Sequence, residues 1–289
     1  MKTLPLLFTV ALVATPNPPA SPLEGRLRAV IAAGGAEVAV AYRTLDGRSS
    51  VFIDADRPFH AASTMKVPVM IELFRQAHAG TLRLDDPLAV VNRFHSIADG
   101  SEYELAAGDP SDAAAFAALG RTLPMRTLCE AMITVSSNFA ANLLIERLGV
   151  RNIRATMTRL GAGGMQVLRG VEDQKAFDRG LVNTTTARAL LVLLERLAAG
   201  RAVAPGADAE MVAILARQQL SPDAIPAGVP EGTVVAHKTG SITGIHHDAA
   251  IVFAPAPYVL VVLVRGLEDV HKSAALIAEV SRAVYESPR

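Results

Sequence analysis

Ser63 and Lys66 stand three residues apart in His60-Ala61-Ala62-Ser63-Thr64-Met65-Lys66, ahead of the largely apolar run Val67-Pro68-Val69-Met70-Ile71-Glu72-Leu73-Phe74. Met65, Val69, Leu73 and Phe74 recur at helical spacing and Gly80 suits a C-terminal stop, so the stretch predicts a loop entering a buried helix. Side chains three apart share a helical face, which brings the Lys66 amine within reach of the Ser63 hydroxyl. A serine needs an adjacent proton acceptor to attack at neutral pH, and a lysine serves once burial and cationic neighbours lower its pKa. Exposed N–H groups of the first turn would favour negative charge developing on an attacked carbonyl. Taken alone the spacing is common by chance, and a helix-capping serine beside a solvated lysine is its ordinary alternative.

Two further clusters bear on that choice. In Met132-Ile133-Thr134-Val135-Ser136-Ser137-Asn138-Phe139, three polar residues interrupt two apolar helical runs and so fall on a turn. There Ser136 can shuttle a proton to a leaving group and the Asn138 amide can hold a substrate carbonyl, or either serine can simply cap the helix starting near Phe139. In Val235-Ala236-His237-Lys238-Thr239-Gly240-Ser241 a strand carries a cation, a hydroxyl and a glycine that lets another backbone approach. Lys238 with Thr239 suits a carboxylate, and the Ser241 N–H can pair with that of Ser63 as an oxyanion hole. His246 and His247 read as structural loop residues.

The elements that must carry these clusters follow from period and punctuation. Ser21-Pro22-Leu23-Glu24 has the form of a capping box, predicting a helix to about Ala33. Ala36 to Tyr42 and Ser50 to Ile53 read as strands joined through Leu45-Asp46-Gly47. From Ser63 to about Gln219 the periods are helical, with the alanine-rich Ser111 to Leu119 region read as a surface excursion. Strands return at Val234 to His237, Ala249 to Phe253 and Tyr258 to Arg265, before a last helix from Ser273 to Tyr285. The expected fold is therefore α+β, an antiparallel sheet of about five strands flanked by N- and C-terminal helices, with an inserted all-α domain. The expected division is 1–20 leader, 21–62 with 220–289 the sheet domain, and 63–219 the helical one, with the site in the groove between them.

Composition narrows the partners. With 51% hydrophobic residues, 289 positions can bury a sizeable core. Lys plus Arg equals Asp plus Glu at 28 each, so no bulk basic field exists to hold nucleic acid or an anionic membrane. A small neutral or zwitterionic molecule acted on by a monomer is the expectation. One positive charge, a short apolar run and small residues in Met1 to Ala14 look like a secretory signal peptide, too short to span a membrane, which predicts a periplasmic or secreted enzyme. Cys129 is the single cysteine and reads as a buried inert thiol. No zinc-binding spacing accompanies the seven histidines, so neither a metal nor a cofactor is expected.

Taken together, Ser63-x-x-Lys66, Ser136-Ser137-Asn138 and Lys238-Thr239-Gly240 resemble, in order and type, the three motifs of the class A β-lactamases and related penicillin-recognising serine hydrolases, from about Leu23 to Tyr285. The resemblance implies a β-lactamase/transpeptidase-like fold and hydrolysis of a β-lactam through an acyl-enzyme. Ser63 would be the nucleophile, Lys66 a proton acceptor and Ser136 a shuttle, with Asn138, Lys238 and Thr239 holding substrate. It also implies a deacylating glutamate between the second and third motifs. Glu172 is the candidate, with Asp173 and Asp178 as competitors and an Arg169–Asp178 pair as a conjectured brace for the loop. Three departures stand out: Ser137 replaces the usual aspartate, Ala176 replaces an asparagine that would help hold the hydrolytic water, and Met70 stands where a disulfide partner for Cys129 would be needed. The alternative is a D-Ala-D-Ala carboxypeptidase or small-ester hydrolase with slow deacylation. A pure lactam- or peptidoglycan-binding module fits less well, because it has no use for an activated nucleophile.

Overall fold

The structure, a computed structural model, describes residues 21–288, so the leader lies outside the described residues. Ser21 accepts the Glu24 N–H at 3.1 Å and Pro22 opens helix α1 (Pro22–Gly34), which ends on Gly35 at φ 64, a left-handed cap that suits glycine. Strands β1 (Glu37–Thr44) and β2 (Ser50–Ile53) follow. Then come the helices α2 (Lys66–His78), α3 (Met125–Thr134), α4 (Asn138–Leu148), α5 (Val150–Arg159), α6 (Ala187–Ala198) and α7 (Pro205–Leu215). The chain returns through β3 (Val235–Ile242), β4 (Ile245–Val252) and β5 (Tyr258–Arg265), and closes with α8 (Val270–Tyr285).

All five strands pair antiparallel in the order β2-β1-β5-β4-β3. The central strand β5 is an unbroken apolar run because both of its faces are covered. Val259, Val261 and Leu263 join the core on the helical side, while Leu260, Val262 and Val264 alternate into a second core with Leu27, Ile277 and Val280 of α1 and α8. Full burial of each such side chain contributes about 1.5–3 kcal/mol. α2 is buried along almost its whole length, and the Glu72 carboxylate buried within it accepts from Arg75, Gln76 and Thr156. Cys129 is a free thiol inside α3, and burial pushes its pKa up to about 12. Among the described residues no helix is long and apolar enough to cross a membrane.

Two expectations are corrected. β4 begins at Ile245, four residues before the predicted start, and joins β3 through Thr243-Gly244, with Gly244 at φ 70. Its polar residues hid it: His246, His247 and Asp248 are buried strand residues, not loop residues, and they keep polar partners. Asp248 accepts the Ile225 N–H at 3.1 Å and lies 2.9 Å from His237 Nδ1. The Ser111 to Leu119 region is no surface excursion, since Asp112, Ala115 and Ala118 are buried and the Phe116 ring centre lies 4.8 Å from that of Phe139 on α4.

Candidate active site

The Ser63 turn is held from several sides. Residues Ala62–Met65 form a 3₁₀ turn feeding α2, and Ala62 adopts φ 44, a left-handed conformation that costs a non-glycine residue about 1–3 kcal/mol unless its surroundings enforce it. Those surroundings are specific. Ala61 N–H bonds Asn183 O at 2.8 Å, Ala62 N–H bonds His60 Nδ1 at 3.0 Å, and Thr64 Oγ1 donates to Ala61 O at 2.6 Å. His247 ties β4 to the same turn. Its Nδ1 accepts the Val264 N–H at 3.1 Å, which leaves the ring proton on Nε2 to donate to His60 O at 2.9 Å. Burial pushes its pKa down to about 4, so this tautomer persists at neutral pH. On β3, a Cβ at Gly240 would sit 3.1 Å from Thr64 Cγ2 and 3.2 Å from Ala61 O, the close approach for which glycine was expected there.

These supports bring the three clusters together. Lys66 Nζ lies 3.1 Å from Ser63 Oγ, 3.1 Å from Ser136 Oγ, 2.5 Å from Ser136 O and 2.8 Å from Asn138 Oδ1. Lys238 Nζ donates to Ser136 Oγ at 3.0 Å and to Thr239 O at 3.0 Å, so the Ser136 hydroxyl bridges two lysines. Ser136 reaches this position at φ 60, again left-handed. Ser63, Asn138, Glu172 and Ser241 line a cleft of about 320 Å³, while Lys66, Lys238 and Thr239 are buried behind it.

The loop from Leu168 to Asn183 supplies one carboxylate to the cleft. Glu172 is exposed at φ 62, and its Oε1 accepts the Asn138 Nδ2–H at 3.2 Å. Its competitors are otherwise engaged. Asp173 is buried and accepts from Ser96 Oγ at 2.7 Å, Ile97 N at 3.0 Å and Ala176 N at 3.1 Å, while Asp178 takes the Gln174 amide at 2.6 Å. The conjectured Arg169–Asp178 brace is absent among the described residues. Arg169 instead donates to Leu181 O and Gly170 O, both at 3.0 Å, and Asn183 closes the loop by accepting the Leu168 and Arg169 N–H groups and returning a bond to Arg169 O. Ala176 is fully buried and presents no polar side chain.

Burial sets the electrostatics. Desolvation lowers the pKa of Lys66 to about 7, opposed by the charges of Asp112, Asp109 and Glu172, so a large fraction is free amine near neutrality. Lys238 is pushed well below the ordinary lysine value, first by burial and then by the Lys66 charge, with Asp248 opposing. A free amine 3.1 Å from a serine hydroxyl is a general base in contact with its nucleophile. Because only the neutral amine accepts the proton, acylation should rise with pH through about 7. A pH profile of the second-order acylation rate checks this, and a flat profile from pH 5 to 9 would contradict it.

A sheet beside a helical block, with an activated serine, a bridging hydroxyl and a buried cation between them, defines the class of penicillin-recognising serine hydrolases. The comparisons agree. Residues 22–287 match the model of the β-lactamase enzyme family. The β-lactamase of Streptomyces albus G is 30% identical over 280 residues, covering 92% of this chain and 85% of that protein. The ancestral (GNCA) class A β-lactamase matches with a TM-score of 0.78 at 25% identity, covering 91% of this chain and 99% of that one. PBP-A matches with a TM-score of 0.76 at 26% identity, covering 93% and 97%. The chain belongs to the β-lactamase enzyme family and is class A-like.

Proposed function

We propose that the protein hydrolyses β-lactams through an acyl-enzyme on Ser63. Ser63 Oγ attacks the amide carbonyl as its proton passes to Lys66 Nζ. The C–N bond breaks, and Ser136 gives its proton to the leaving nitrogen and is reprotonated from Lys66. Glu172 then takes a proton from a water that attacks the ester carbonyl, and as the acyl–oxygen bond breaks that proton passes on to Ser63 Oγ, restoring the serine hydroxyl and the Glu172 carboxylate. Lys238 and Thr239 hold the substrate's anionic group, the Ser63 and Ser241 N–H groups serve the carbonyl oxygen as an oxyanion hole, and the Asn138 amide holds the side-chain carbonyl. The observation carrying this reading is Lys66 at 3.1 Å from both Ser63 and Ser136, touching the nucleophile and the proton shuttle at once.

Ala176 favours a second reading, a D-Ala-D-Ala carboxypeptidase or small-ester hydrolase. Without a polar side chain there, Glu172 keeps the Asn138 amide beside it but gains no second holder for the water from position 176, and weak ordering slows deacylation. Steady turnover of a chromogenic cephalosporin supports the lactamase. One stoichiometric burst that stops, with faster release of D-Ala from a D-Ala-D-Ala peptide, supports the rival. The leader residues support export to the periplasm or medium, and action as a monomer belongs to the same reading. The mature N-terminus and the mass in solution test these two points.

A further inference from the structure

The turn that carries Ser136 and Asn138 is not held by its own residues alone. Ser137 Oγ caps α4 by accepting the Ala140 N–H at 3.0 Å, and its proton goes to Asp112 Oδ1 at 2.5 Å. The same carboxylate oxygen accepts the Phe139 N–H at 3.0 Å. Asp112 therefore closes the first turn of α4 from a segment more than twenty residues away, where Pro110–Asp112 form a 3₁₀ turn and Phe116 packs on Phe139. It is 2% exposed and, among the described residues, forms no ion pair. The positive end of α4 and the Lys66 ammonium are left to balance its charge.

We propose that Asp112 is a positioning residue for acylation: by gripping Ser137 and Phe139 it keeps Ser136 and Asn138 seated on Lys66, supplying from another segment the carboxylate that Ser137 lacks. The inference rests on Ser63 and Lys66 being the acylating pair. It explains how Ser136 keeps its left-handed backbone, since the bonds at Ser137 and Phe139 immediately follow the strained residue. It also makes Asp112 an electrostatic neighbour of the base. Lys66 is faced by Ser63 on its own turn, by Ser136 and Asn138, by Lys238 on β3, by Glu172 on its loop, and by Asp109 and Asp112, and the Asp112 charge is the largest of those favouring its protonation.

Three variants separate grip from charge. Asp112→Ala removes both and should slow acylation roughly tenfold to a hundredfold, the cost of stranding buried donors. Asp112→Asn keeps the acceptor and loses the charge, so Lys66 gives up its proton more readily and the acidic limb of the acylation profile should move to lower pH. Exchanging the pair, Asp112→Ser with Ser137→Asp, restores a hydroxyl–carboxylate bond in reverse and should recover most of the rate lost in Asp112→Ala. Acylation is followed by stopped-flow with a chromogenic cephalosporin, with thermal melting run alongside. A merely structural residue would lower the melting temperature and leave the pH profile in place. An acidic limb unmoved in Asp112→Asn, or an exchange no faster than Asp112→Ala, overturns the proposal. A parent protein that itself fails to acylate would instead overturn the reading of Ser63.

Discussion

Glu172→Gln should acylate at close to the parent rate and then stall, leaving one covalently bound β-lactam per molecule. Glutamine has the shape of glutamate and can still accept the Asn138 amide now 3.2 Å from Oε1, so the cleft keeps its form. What it cannot do is take a proton from water. General-base assistance is worth about 10²–10⁴-fold, and that factor should disappear from deacylation alone. A secondary effect has a definite sign: Glu172 is one of the charges favouring protonation of Lys66, so its removal should also shift the acidic limb of acylation slightly downward. Intact mass at intervals after mixing with penicillin reads the outcome. Normal turnover in this variant would show that another group activates the water, and Asp173, with its oxygens already bonded to Ser96, Ile97 and Ala176, would not be that group.

Ser63→Ala should abolish the adduct altogether and lower turnover on the order of 10⁶-fold, the scale of loss when a serine hydrolase loses its nucleophile. The fold should survive the change, because Ser63 Oγ is only half-buried and its one bond is to Lys66. The two variants divide the reaction between them. Ser63→Ala fails before any bond forms, and Glu172→Gln fails after the first bond has formed. A binding module without chemistry would respond to neither.

Much of the fold was legible because its signals are local. β5 is legible to the residue as the apolar run Tyr258 to Arg265, and α2 from helical spacing with Gly80 as its stop. The start of β4 was not, since His246, His247 and Asp248 look like loop chemistry until the partners that allow their burial are seen. Of the site, Ser63, Lys66, Ser136, Asn138, Glu172, Lys238 and Ser241 were legible as three spaced clusters and a charged loop, and the structure gathers all of them around one cleft with Thr239 behind it. The supports were hidden. Asp112 sits between the turn residues Gly108-Asp109-Pro110-Ser111 and a run of alanines, with nothing to tie it to the Ser136 turn, and Asn183 looks like an ordinary residue ahead of three threonines. Both act through contacts between distant segments, which no spacing rule can report. Nor could spacing show that the Ser137 hydroxyl donates to Asp112.

The most direct test follows the native protein by quenched-flow mass spectrometry during turnover of a penicillin. The expected result is a transient adduct of one penicillin mass, carried by the tryptic peptide Ser49–Lys66 at Ser63 and gone once the substrate is spent. Hydrolysis with no adduct on that peptide, or an adduct on a different residue, would contradict a nucleophilic Ser63 served by Lys66.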